Sequence, residues 1–444
     1  MIDAIVTPMI DAIVKRTVRY RQHSFIRVVR RTLAVIFPLA LIGIIAQVLF
    51  IVFFSNDGYL YNVLSIGDWV PKVVLTKAQY SLLALSQVTI EMLTVYAAYG
   101  AARYTAQLYQ IDDQVPGITG LVTSLLLSVR YTPNRGVSFD QNMMSYGSLL
   151  GGLLVGYLVG QIFRWLGKKN RLKPGQPIHT VDIEEQVAAY TRPILVIMLG
   201  ALAINFVLNL VSYYSSYTQA AALMQSLSSG NTPFWLELLM VCLTTLLEWL
   251  GISGSYNFQL GTDSTEAMAN LNYALAHHTA YGVPYPYLGS SLYNSFANFG
   301  GIGLALALLL AMAIVAHSYN EQRMVRANFL PVLFNRNTGL MVGLPVLLNP
   351  LYILPAVFLP MVNILIAAFA IFIHLIPTPV YWVPDGTPGP LVAYVGSNGN
   401  FVTLLFTLAL LAFDVWVYIP FVRLSLAVEG RIREIDAKED HKDV

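Results

Sequence analysis

Between Thr32 and Phe54 the chain runs for 23 residues without one charged side chain. About 20 apolar residues carry a helix across the hydrocarbon core of a bilayer, so this segment reads as a membrane span. Gln141 to Phe163 repeats the feature over another 23 residues. Composition agrees, because 56% of the 444 residues are hydrophobic and only 11% are charged, against about 25% charged in soluble domains. Further spans are expected at Ala78–Ala102, Gly117–Val129, Pro193–Tyr213, Phe234–Leu250, Phe299–Ala316 and Phe401–Ile419, with Glu91 and Asp414 inside two of them. From Asn337 to Pro384, 48 residues pass with no Asp, Glu, Lys or Arg but many prolines, so that stretch must hold more than one element.

Charge sets the expected orientation. Residues 1–31 carry seven basic side chains (Lys15, Arg16, Arg19, Arg21, Arg27, Arg30 and Arg31), too many over too long a segment for a cleavable signal. They read as a basic amphipathic segment on the membrane surface, on the cytoplasmic side by the positive-inside rule. Four spans then return the chain to Arg164, where Lys168, Lys169, Arg171 and Lys173 mark a second cytoplasmic loop. The loop Arg323–Arg336 and the tail from Arg423 fit the same side. Parity between these loops requires weak spans or re-entrant hairpins after Gly251. Non-helical backbone survives at membrane depth only inside protein or beside a watery cavity, so the second half is expected to enclose a substrate site.

Several chemistries have no residues to carry them. The single cysteine, Cys242, lies in an expected span, which leaves no intrachain disulfide and no thiolate metal cluster. The seven histidines lack metal-ligand spacing, no G-x-x-x-x-G-K-[ST] loop is present, and a net charge of +2 gives no reason to expect nucleic acid. No cofactor and no metal are expected. The duplicated hexapeptide Met1–Val6 and Met9–Val14 carries no further reading.

The polar material of the second half is concentrated in Gly251–Tyr256, Asn270–Tyr273, Asn294–Gly303 and Phe334–Gly339. Amides and hydroxyls beside aromatic rings are the chemistry that recognises sugar hydroxyls and ring C–H edges. The same residues also serve to satisfy helix ends and to let small faces pack.

At these segments the chain resembles the membrane-embedded IIC component of the lactose, cellobiose and diacetylchitobiose branch of the phosphotransferase system. Phe334-Asn-Arg-Asn-Thr-Gly-Leu-Met-Val-Gly-Leu-Pro-Val-Leu-Leu-Asn-Pro is similar to that family's F-N-I-N-E-P-I-I-F-G-L-P-I-V-L-N-P. Ser295-Phe-Ala-Asn-Phe-Gly-Gly-Ile-Gly resembles F-x-x-I-G-G-S-G-A, and Trp249-Leu-Gly-Ile-Ser-Gly resembles F-G-I-H-G. Arg21-Gln-His and Phe37-Pro-Leu-Ala-Leu-Ile-Gly resemble the approach to its first span. The resemblance covers nearly the whole chain and includes no IIA or IIB domain. Ser253 stands where the family has histidine, and Thr338 where it has a glutamate implicated in holding the sugar. Neither hydroxyl is a general base near neutral pH. Glu248, Asp263, Glu266, His277 and His278 are the nearby replacements, with Glu248 expected at a solvated helix end and the histidines in a wet loop.

The resemblance implies an all-α polytopic fold of about ten transmembrane helices, with re-entrant hairpins in the C-terminal half. The expected divisions are a cytoplasmic basic segment (1–31), an N-terminal helical half forming the dimer interface (32–232), a substrate-binding transport half (233–422) and a charged cytoplasmic tail (423–444). The expected function is a IIC-like permease for a di- or oligosaccharide in the bacterial plasma membrane. It would act as a homodimer in lipid with separate IIB and IIA proteins, and be at most the permease subunit of a phosphotransferase. Substrate contacts are expected from Trp249, Ser253, Asn294, Asn298, Asn335, Asn337 and Thr338, with the catalytic residues unassigned. The alternative is a derived relative that transports without phosphorylation, or serves as a sensor or non-transporting subunit.

Overall fold

The computed structural model describes residues 14–132, 136–167, 183–214, 234–252, 265–316, 318–343 and 346–440. Fourteen helices carry the description below. They are α1 (Ser24–Leu49), α2 (Lys72–Thr89), α3 (Leu93–Leu108), α4 (Gln114–Ser128), α5 (Leu149–Leu166), α6 (Ile183–Tyr214), α7 (Phe234–Trp249), α8 (Thr265–His277), α9 (Ala305–Val315), α10 (Tyr319–Leu333), α11 (Thr338–Gly343), α12 (Pro350–Phe372), α13 (Gly389–Gly396) and α14 (Phe401–Asp440). Among the described residues, six stretches are long and apolar enough to cross a membrane: Ser24–Phe54, Lys72–Leu108, Tyr146–Leu166, Tyr190–Leu210, Pro350–Phe372 and Phe401–Ile432. Expected spans without that length fall on the shorter helices α4, α7 and α9. The sheet content among the described residues is one hairpin, Val129–Thr132 with Gly136–Phe139.

In the first half, α5 packs on α3 along Gly152, Gly156 and Gly160. A Cβ on these glycines would lie 2.5 Å from Thr94 O, 2.3 Å from Ala98 O and 2.4 Å from Thr105 Cβ. Small residues every fourth position let two backbones approach closely, which is how helices bind one another where lipid removes the hydrophobic drive. The α2–α3 stretch is a single crossing interrupted at Ile90–Met92, and Glu91 sits partly buried at that break.

Two apolar cores result. One is built by α1, α3 and α5 with Val342, Leu347 and Leu348; the other by α9, α12 and α14 with the turn at Tyr293–Ala297. Tyr146 and Met324 pack against both. The short α11 lies along α1, where a Cβ on Gly343 would meet the Phe37 ring at 2.1 Å.

The basic N-terminal segment does more than coat a surface. Val14 and Val18 pack against Leu351, Val428 and Ile432, and Arg30 reaches Glu429 at 3.2 Å. The N-terminal segment, the start of α12 and the end of α14 therefore share one face of the molecule. Arg21, one of the basic residues of that surface segment, is only 4% exposed. Burial first, then the nearby Arg30, hold its guanidinium below the usual arginine range, with Glu429 opposing.

The span expected at Phe299–Ala316 begins late. Gly300, Gly301 and Gly303 have φ of 80°, 105° and 73° and Leu304 has φ 54°, so the backbone turns tightly before α9 starts at Ala305. Leu306 N–H closes that turn on Phe299 O at 2.9 Å. Three glycines supply a left-handed path that side chains disfavour, which overrides the apolar run.

Candidate functional site

The broken backbone of the second half gathers at one place. A π-helical turn, Tyr293–Ala297, leads into the Gly300–Leu304 turn, and the loop Asn335–Asn337 closes on it. Asn335, itself at φ 61°, accepts from Gly300 N–H at 2.9 Å and donates to Thr387 O at 2.9 Å. Asn337 donates to Ile302 O at 3.1 Å. A Cβ on Gly301 would come within 2.8 Å of the Asn337 side chain, so the close approach needs glycine. The Asn-x-Asn of the sequence is thus a pair of clamps on one glycine turn.

Thr338 follows directly as the first residue of α11, partly buried. Beside it, Gly339 faces Asn328, whose Oδ1 is enclosed and has no hydrogen-bond partner among the described residues. Asn298 Oδ1 and Ser295 Oγ are enclosed in the same state next to the π turn. Buried polar groups are nearly always paired, so these unpaired oxygens, two at the π turn and one on α10, are acceptors or donors available to a ligand or to water.

Of the expected contacts, Asn298, Asn335, Asn337 and Thr338 come together around the Gly300–Leu304 turn, and Asn294 lies within the π turn, partly buried. Trp249 is fastened elsewhere. Its indole N–H donates to Asn349 O at 3.1 Å and its carbonyl accepts from Leu348 N–H at 3.3 Å. Asn349 in turn caps α12 by accepting from Leu351 N–H at 3.2 Å, with Pro350 as first helical residue. Ser253 and Asp263 lie outside the described residues.

Glu248 is a correction. Expected at a solvated helix end, it lies partly buried, near Tyr293 and near Tyr146, which packs against both cores. The reason is packing: α7 ends against Leu150 and Leu347, through Leu150 N–H to Gly251 O at 3.3 Å, and not at a free surface. His277 and His278 are exposed, with His277 stacked on Tyr273, as a wet loop requires. Tyr146, Tyr293 and Asn328 carried no sequence signal that separates them from ordinary helix residues. Among the described residues, no group of three or more His, Cys, Asp or Glu is placed to hold a metal.

This arrangement offers amide, hydroxyl and carboxylate groups beside tyrosine rings. The sequence profile described as "Phosphotransferase system, EIIC" matches residues 30–360. The oligo-beta-mannoside-specific EIIC component of Bacillus subtilis (strain 168) is 24% identical over 448 residues, covering 96% of each chain. A lactose-specific EIICB component of Lacticaseibacillus casei is 28% identical over 146 residues, which span 32% of this chain and 25% of that protein. Among solved structures, that of ChbC, the IIC component from the N,N'-diacetylchitobiose-specific phosphotransferase system, aligns over 98% of this chain and 99% of that one. The identity there is 19% and the TM-score 0.41.

Proposed function

The chain belongs to the phosphotransferase-system EIIC family, and from that premise we propose that it is a membrane permease for a neutral di- or oligosaccharide. The observation that carries the reading is the cluster around the glycine turn. Asn335 and Asn337 hold the turn, so they position the site, while the unpaired Asn298 and Ser295 oxygens, Thr338 at the start of α11 and, from beside Tyr293, Glu248 remain to meet sugar hydroxyls. Oligo-beta-mannoside, lactose and cellobiose specificities among its relatives support a β-linked saccharide as cargo.

Labelled cellobiose uptake into proteoliposomes tests this. Thr338→Phe is expected to abolish uptake with little loss of folded protein. Glu248→Gln is expected to weaken binding by about 10- to 100-fold, the range for losing one hydrogen bond to a charged group. Unchanged binding in both variants would remove the site from this turn.

Separate IIB and IIA proteins are its partners in this reading, and the half spanning 233–422 is the substrate-binding unit. The half spanning 32–232 forms a homodimer interface. Its support is α6, which turns Leu195, Leu199, Leu202 and Phe206 outward, each more than half exposed. The termini and the 164–192 loop face the cytoplasm. A cysteine placed at Lys169 is expected to resist an impermeant thiol reagent in intact cells, and rapid labelling would invert the topology.

A further inference from the structure

The face opposite the Arg30–Glu429 contact has a cavity of its own. The α12 helix starts beside Val428 and Ile432, so its far end, at Phe372, reaches the other side of the molecule. There the residues after α8 and those after α12 enclose about 210 Å³, lined by Tyr281, Tyr287, Phe372, His374 and Thr378 among others.

The cavity is built and not incidental. His374 stands at φ 57°, placed by His374 N–H to Ile371 O at 3.0 Å and Leu375 N–H to Ala370 O at 2.9 Å. Its ring lies within 17° of parallel to Tyr281, with centroids 6.4 Å apart. Gly282, at φ 73°, turns the chain between Tyr281 and Tyr287. Thr378 N–H donates to Ala280 O at 3.3 Å, which ties the two walls together. The next residue, Pro379, accepts from the buried Ser291 hydroxyl, two positions before Tyr293 and the candidate site. One continuous wall thus joins the outer cavity to the inner turn.

The lining selects its ligand. It contains no Asp, Glu, Lys or Arg, so a phosphate, whether on a lipid or on a sugar, finds no permanent cation to pair with. The half-buried Tyr281 ring and the exposed Tyr287 and His374 rings, with hydroxyls at their edges, suit the apolar face of a pyranose whose hydroxyls stay wet. The volume falls short of the ~300–1,000 Å³ of a full ligand cleft, which fits one sugar ring with the remainder projecting outward.

We propose that this cavity is a peripheral subsite that captures one ring of a neutral, unphosphorylated saccharide before it reaches the Asn298–Thr338 site. The proposal rests on the permease reading above. With the full-length protein in nanodiscs and cellobiose as probe, saturation-transfer NMR is expected to show ring contact in Thr338→Phe, where the inner site is blocked. Adding Tyr281→Ala is expected to erase that contact, and Tyr281→Phe to keep it. In the otherwise native protein, Tyr281→Ala and His374→Ala are expected to raise the uptake KM by about 2- to 12-fold, the range for one aromatic contact, with the maximal rate kept.

If native protein takes up cellobiose but Tyr281→Ala and His374→Ala leave KM and the NMR contact unchanged, the subsite is overturned and the permease reading stands. A contact that lipid alone abolishes would assign the cavity to the membrane interface and also overturn it. Failure of the native protein to bind any saccharide would overturn both readings together.

Discussion

Vesicles carrying this chain with phosphorylated IIB are expected to convert cellobiose to its phosphate about 10²- to 10⁴-fold more slowly than a site with a positioned general acid or base. Deprotonating a sugar hydroxyl as it meets the phosphoryl group needs a group that titrates near neutrality. On the motif match proposed from the sequence, Thr338, at the start of α11, offers a hydroxyl in place of a glutamate, and Ser253 one in place of a histidine. The neighbours of Thr338 do not compensate, because the Asn335 amide is spent on Gly300 and Thr387 and the Asn337 amide donates to Ile302. Gly339 replaces a proline beside Thr338 and leaves the backbone less restricted, which costs positioning as well. The rate of sugar phosphate formation is the measurement. Ser253→His with Thr338→Glu is expected to raise it; an ordinary rate in the unmodified chain would overturn the argument and move the acid–base role to Glu248.

Charge spacing made the long spans legible, since no packing detail is needed to exclude 23 uncharged residues from water. Glycine content marked where the second half breaks, but not how. The apolar run at Phe299–Ala316 looks helical throughout, and only the left-handed φ values at Gly300, Gly301 and Gly303 show that its first six residues are a turn. The asparagines of Phe334–Gly339 were visible as a motif. Their division of labour was not, because it depends on contacts 35 residues away, where Asn335 accepts from the Gly300 N–H and Asn337 donates to the Ile302 carbonyl. Glu248 was misplaced for the same reason: a helix end looks solvated in one dimension, and here Leu150 and Leu347 pack against Gly251 just beyond it. Glu91 and Asp414 were indistinguishable as carboxylates within apolar stretches. In the fold Glu91 sits at a helix break while Asp414 is fully enclosed.

That enclosure leads to the largest expected loss of stability. Asp414 on α14 and Asn363 on α12 are both 0% exposed, and Asn363 Nδ2 donates to Asp414 Oδ2 at 2.8 Å and to Phe296 O at 3.1 Å. One amide therefore joins two helices to the π turn that leads into the candidate site. Asn363→Leu removes both bonds while leaving the Asp414 carboxyl and the Phe296 carbonyl in an apolar setting. A buried acceptor stripped of its donor costs its whole desolvation, so the substitution is expected to destabilise the fold by about 2–5 kcal/mol. Asp414→Asn keeps the shape and an acceptor for the same bond, and is expected to cost under about 1.5 kcal/mol. Glu91→Gln, at its partly buried break, is expected to change stability by less than about 0.5 kcal/mol. Denaturant unfolding in detergent, followed by tryptophan fluorescence, measures all three. Equal losses for Asn363→Leu and Glu91→Gln would show that the amide does not hold the π turn to its helices.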